Sequence, residues 1–235
     1  MNLRAVPENL LDCFRQAALG FVQALIRLWP WLLFTEILDQ LFSFLLGYLR
    51  TRQAELALSY AILYVAFHFA LVSITIIVVN QAYHDLVYGS KNSLYESFQK
   101  YFKAVFVESA RACLWMMLGI FLLVVPGLVW GIRYFWVIFV AQFDPQYEKG
   151  EVDALHRSHE LTRGHFWWSV WVLILAATLD WGCQIWLSMT DPLEKPVVYV
   201  VAFWVSLAMS LYSSGVIYFA YRLLQQKLVV RSVPR

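Results

Sequence analysis

The sequence predicts an all-α polytopic membrane protein. Its expected architecture is a bundle of six transmembrane helices with amphipathic interfacial helices on the cytoplasmic side. Three observations predict it. Of 235 residues, 61% are hydrophobic and only 14% are charged, against about 45–50% and about 25% in soluble domains. The apolar residues gather in runs near the ~20 needed to cross a bilayer. The basic residues gather on alternate connections, as the positive-inside rule demands. Gly (10) and Pro (7) are too sparse for a disordered or fibrous chain.

The chain reads as one integral membrane domain over 1–235. Residues 1–27 are expected to form an interfacial helix. Leu10, Leu11, Phe14, Ala17, Ala18, Phe21, Val22 and Leu25 recur at helical spacing, opposite Asp12, Arg15, Gln16 and Gln23. Pro7 suits its first turn. The charges at Arg4, Glu8, Asp12, Arg15 and Arg27 are spread too widely for a cleavable signal peptide.

Six spans follow over 28–221. The first runs from Trp29 to Tyr48 and the second from Leu56 to Asn80. The apolar stretch from Ser109 to Phe143 is long enough for two short helices about a turn at Pro126-Gly127. A re-entrant hairpin fits the same residues. The fifth span is Phe166–Ser188 and the sixth Pro196–Tyr221, before a basic tail over 222–235. Two further amphipathic segments precede span pairs. In 91–108, Ser93 and Glu96 stand at capping-box spacing, with a stripe of Leu94, Phe98, Tyr101, Phe102 and Val105. The segment 149–163 is more polar and ends at Gly164, a natural helix stop. Such helices lie in the headgroup layer or extend the following span.

With both termini cytoplasmic, fourteen Lys and Arg fall on the cytoplasmic side. Only Arg50, Arg52, Lys195 and Arg133 are left for the other. A net charge of +2 argues against nucleic acid as a partner. Cys13, Cys113 and Cys183 lie in three different expected helices with no CxxC pair, so no disulfide framework or zinc ribbon is supported. Trp29, Trp31, Trp167 and Trp168 stand at expected membrane entries, as an interfacial belt would.

The stretch VVPGLVWGIRYFWVIFVAQF, followed by EVDALHRSHELTRGHFWWSV, resembles the YciC-type bacterial inner-membrane proteins and the related membrane domain of some glycerophosphodiester phosphodiesterases. The matching residues are Pro126, Gly127, Arg133 and Tyr134, then Ala154, Leu155, Ser158, Leu161, Thr162 and Gly164. They cover the central third of the chain. Asp144-Pro145 departs from the single acidic residue the pattern expects. The resemblance implies a bacterial plasma-membrane protein. The phosphodiesterase chemistry of the fused relatives belongs to a separate soluble domain and does not carry over.

Ionisable residues within spans are functional candidates because lipid penalises them. Glu36 and Asp39 share a face of the first span, His68 lies in the second, Arg133 in the fourth and Asp180 in the fifth. They line a polar path or bind a cation, with His68 exchanging protons, or else Arg133 pairs with one carboxylate. On the cytoplasmic side, Lys91, Lys100, Lys103, Arg157 and Arg163 are expected to meet anionic lipid headgroups. His159-Glu160 opens like a zincin motif, but the fifth position is Arg163, so no metal site is assigned. No cofactor fingerprint, P-loop or nucleophile elbow is present. The leading expectation is a non-enzymatic protein that engages lipids or organises the bilayer, with membrane lipids as partners and a homo-oligomer as one form. A channel or transporter is the alternative, and a phospholipid-acting enzyme the third reading.

Overall fold

The computed structural model describes residue 3 and residues 5–52, 57–89, 93–189 and 196–232. Within these the chain is helical, in the order α1 (Leu10–Arg52), α2 (Ala57–Tyr88), α3 (Leu94–Leu122), α4 (Val124–Tyr134), α5 (Val137–Phe143), α6 (Pro145–Glu148), α7 (Ala154–Thr162), α8 (Phe166–Ser188) and α9 (Pro196–Ser232). Six segments are long and apolar enough to cross a membrane: Leu10–Phe42, Ile62–Tyr88, Tyr95–Leu122, Val124–Phe143, Phe166–Cys183 and Val197–Val229. The protein is an all-α, multi-pass membrane bundle.

The expected separation of 1–27 from the first span is corrected. Helix α1 runs through 43 residues without a break, and Pro30 lies inside it. The face carrying Cys13, Ala17, Ala24 and Leu28 is fully buried in the main core, with Phe14 and Leu25 packed against it. Leu11, Val22 and Ile26, on the other side, are exposed. The residues that were to sit among acyl chains therefore divide, and the smaller ones pack inside the protein. Tight packing of small residues is what brings apolar helices together where no water drives them.

Helix α3 likewise continues from its amphipathic start into the span. Its start is capped as expected, with the Ser93 backbone N–H donating to Glu96 Oε2 at 3.2 Å. The C-terminal part of the expected stripe packs against protein. Val105 is fully buried against Ile77 of α2 and Ala141 of α5, and Tyr101 and Phe102 pack beside them.

The reversal within 109–143 is displaced from its expected place. It is the single extended residue Leu123, at φ −163°, and Pro126-Gly127 lies in the first turn of α4. A proline there removes an N–H that would have no partner in any case. The α3 and α4 arms then pack closely, because Gly119 faces Gly127. A Cβ on Gly119 would come within 2.7 Å of the Gly127 Cα.

The core gathers α1, α2, α5, α7, α8 and α9 around a group of rings. Tyr83, Trp136, Tyr218, Phe219 and Tyr221 are all at most 1% exposed. Tyr83 Oη donates to the Leu211 carbonyl at 3.1 Å, and Trp136 Nε1 to Ser169 Oγ at 3.3 Å. Buried Tyr and Trp need such partners for their polar atoms.

The third amphipathic segment, 149–163, forms α7, and the short α6 precedes it. The Asp144 side chain accepts from the Gln146 amide, and the Asp153 side chain from the Leu155 and His156 amides. Each satisfies amides that would otherwise be orphaned at a helix start. Helix α7 stops at Gly164, whose φ of +79° only glycine adopts without strain. The resemblance residues acquire a physical role here. Ala154, Leu155, Leu161 and Thr162 are buried, and the buried Ser158 donates to the Arg133 carbonyl at 2.7 Å. The motif is the surface by which α7 grips α4 and α5.

Candidate functional site

A cavity of about 480 Å³ opens among α1, α2, α5, α8 and α9. That volume is in the range of small-molecule sites. Its polar groups come from three helices. Thr35, Glu36 and Asp39 of α1 are spaced three and four apart, so they share one face. His68 and Thr75 of α2, seven apart, share another. Ser206, Ser210, Ser213 and Ser214 form a stripe on α9 at the same kind of spacing. The rest of the wall is apolar and aromatic, with Phe135, Phe139, Trp181 and Phe203 among it.

Three expected site residues meet here. His68 Nδ1 lies 2.8 Å from Asp39 Oδ1, with side-chain exposures of 47% and 24% that place both on the cavity surface. Glu36 Oε1 accepts from Gln40 Nε2 at 3.1 Å, one turn away. The Tyr64 ring stacks near His68 at 5.8 Å. Among the described residues neither Lys nor Arg lines the cavity, so its ionisable groups are Glu36, Asp39 and His68. Asp180 belongs to α8 beside Trp181, and its side chain lies outside the described residues.

Arg133 is not part of this site. It stands at the end of α4, where its charge acts on His159 and its carbonyl receives Ser158. Among the described residues Arg133 pairs with neither Glu36 nor Asp39, and the Asp180 side chain, the third expected partner, lies outside the described residues. The separation is dictated by Leu123: a turn at that residue brings the end of α4 back to α7.

Sequence reasoning missed the serine stripe and the polar floor beneath it. Asn80 and Gln142 are 2% and 3% exposed. The Gln142 Nε2 donates to the Ile77 carbonyl at 2.9 Å, and Asn80 Nδ2 to Gln142 Oε1 at 3.5 Å. Ser206 Oγ is buried and has no hydrogen-bond partner among the described residues. An unmatched hydroxyl lining a cavity is suited to a ligand or an ordered water. The signal was present in Ser206, Ser210, Ser213 and Ser214, whose recurrence every three or four residues is hidden by apolar neighbours.

A second polar layer lies where α3, α6 and α7 meet. Arg111 Nη1 donates to Glu108 Oε2 at 2.8 Å and to Asp153 Oδ1 at 2.9 Å. Arg157 Nε donates to the nearly buried Asp144 at 3.0 Å, and its Nη1 to Glu160 at 3.1 Å. Lys100 Nζ reaches Glu148 at 2.9 Å. Burial opposes ionisation of Asp153, but the Arg111 hydrogen bond and two backbone amides hold its carboxyl below the usual value. Burial also works against the Arg157 charge, and Asp144 and Glu160 more than offset it. Burial pushes the Tyr147 phenol up, and the adjacent Glu108 carboxylate adds to the effect.

The expected headgroup cations thus divide. Arg157, with 15% side-chain exposure, is occupied by carboxylates of its own chain. Lys100 pairs with Glu148, while Lys103 and Arg163 are exposed. Lys91 lies outside the described residues. Compared with protein-family models, curated proteins and solved structures, the chain matches none.

Proposed function

We propose that this chain is a transport protein of the bacterial plasma membrane. Both termini lie in the cytoplasm, and the cavity binds a small organic cation. The observation that carries the reading is the 2.8 Å contact of Asp39 with His68 on the cavity wall, within apolar helices. Ionisable groups at membrane depth are costly and are kept where they serve a path or a site. Two carboxylates attract a cation, and ring faces such as those of Trp181 and Phe203 favour a delocalised one. His68 stands against Asp39 on the wall, and histidine is the residue type that shuttles protons, so the site can exchange a proton for the solute. The fourteen-to-four distribution of basic residues supports cytoplasmic termini. The central motif supports kinship with the YciC-type proteins.

The test is uptake of ethidium into proteoliposomes after a pH step, with protein-free liposomes alongside. Uptake above the protein-free rate that is lost in Asp39→Asn and in His68→Gln supports the proposal. Uptake equal to that of empty liposomes, or unchanged in both variants, removes it. Lipid engagement is the second reading, favoured by the exposed apolar tip of the α3–α4 hairpin, where Phe121 is 84% exposed.

A further inference from the structure

We infer that the α3–α4 hairpin does not cross the membrane but enters one leaflet from the α7 side, with its tip among the acyl-chain ends at the bilayer midplane. Four observations combine. First, both arms are fastened to the same polar helix. Arg111 on α3 bonds Asp153 at the start of α7, and the carbonyl of Arg133 on α4 receives Ser158 from its middle. Helix α7 carries His156, Arg157, His159 and Glu160, so it belongs outside the hydrocarbon. Both arms therefore enter from one face.

Second, the arms are short. From Arg111 to Leu122, and from Val124 to Arg133, each rises about 14–17 Å at ~1.5 Å per residue. The hydrocarbon layer is about 30 Å thick. Third, residues 112–132 contain no charged residue, and the tip reads Phe121-Leu122-Leu123-Val124-Val125. A loop emerging into water on the far side would expose that run, and these five side chains are 62–84% exposed.

Fourth, the reversal satisfies part of its own backbone, which lowers the cost of placing it in lipid. The Leu123 N–H donates to the Gly119 carbonyl at 2.9 Å, its carbonyl accepts from Gly127 at 3.3 Å, and Pro126 has no N–H at all. The Gly119–Gly127 approach holds the two arms against each other. The occupant of this surface is thus the acyl chains of one leaflet, and α1, α2, α8 and α9 are the four full crossings. The number of crossings stays even, so the termini remain on one side. The inference is independent of the cavity reading.

Leu123→Cys and Phe121→Cys, each placed in the full chain with Cys13, Cys113 and Cys183 replaced by Ala, provide the test. Each is labelled with bimane in proteoliposomes of phosphatidylcholine brominated at a series of depths. The proposal expects the strongest quenching from bromines nearest the chain ends. It also expects no reaction of the unlabelled thiol with a membrane-impermeant maleimide from either side. Maleimide labelling from the side opposite α7 would show a full crossing and overturn it. Quenching strongest at headgroup depth would do the same, as would an unquenched probe with disulfide-linked dimers, which would mark a second copy as the occupant. Both tip side chains lie outside the core clusters, so the variants keep the fold, which circular dichroism verifies.

Discussion

The Tyr83 ring lies directly over Gly215. A Cβ at residue 215 would stand 2.5 Å from Tyr83 Cζ and 2.6 Å from its Oη. The same ring covers Gly20 of α1, where an added Cβ would be 3.3 Å away. One aromatic side chain of α2 thereby wedges between two glycines on α1 and α9. Gly215→Ala must displace a fully buried ring that is hydrogen-bonded to Leu211. Overpacking of this kind costs about 1–3 kcal/mol. Thermal unfolding in detergent should show a clear loss for Gly215→Ala and a smaller one for Gly20→Ala.

The cavity makes a prediction about binding. Hydrogen bonds to a charged partner contribute about 1.5–3 kcal/mol. Asp39→Asn, which keeps the shape and removes the charge, should weaken ethidium binding about tenfold or more. Fluorescence titration of the purified protein measures it. Ser213→Ala, which removes one hydroxyl of the stripe, should change affinity far less.

Arg157 and Asp144 are a largely buried pair, with side-chain exposures of 15% and 2%. Arg157→Ala leaves the Asp144 carboxylate without its cation, and breaking such pairs costs about 3–5 kcal/mol. The residual exposure of Arg157 puts the expected loss near the lower end. Asp144→Asn combined with Arg157→Ala should recover part of it, because the stranded charge is then gone. A double-mutant cycle by chemical unfolding reads the coupling.

The α7 layer should also respond to pH. Burial first, then the charges of Arg133, His156 and Arg163, hold the His159 pKa below its ordinary 6.5. The unfolded chain therefore takes up this proton before the folded one does. The contribution is fully present above pH 6.5 and falls as pH drops through the folded value. His159→Asn should flatten the dependence of the melting temperature on pH between about 7 and about 5.

The legible part of this fold was the part carried by hydropathy. Runs of apolar residues located the six long segments, and the three-residue spacing of Glu36 and Asp39 put both on one wall of the cavity. Gly164 marked the end of α7 because only a glycine relieves a positive φ. What the sequence hid depended on contacts between distant residues. Pro126-Gly127 resembles a turn, yet proline is equally at home in a helix's first turn, so Leu123 became the break. The 10–27 face could be read as facing lipid or protein, since both are apolar. The choice fell to α9 and its small-residue neighbours. His68 was recognised as a candidate, but its contact with Asp39 across 29 positions leaves no local mark.

The Gly119–Gly127 contact has a consequence for how the molecule can be taken apart. No residue from 113 to 133 enters either buried core cluster, and the two arms rely mainly on each other and on α7, with a smaller contact of α4 on α8. The hairpin is accordingly a detachable cassette: a short bridge from 112 to 134 should close the excision and leave the remaining helices assembled. Natural or engineered chains could then vary, lengthen or lose this appendage while the machinery around the cavity stays as it is.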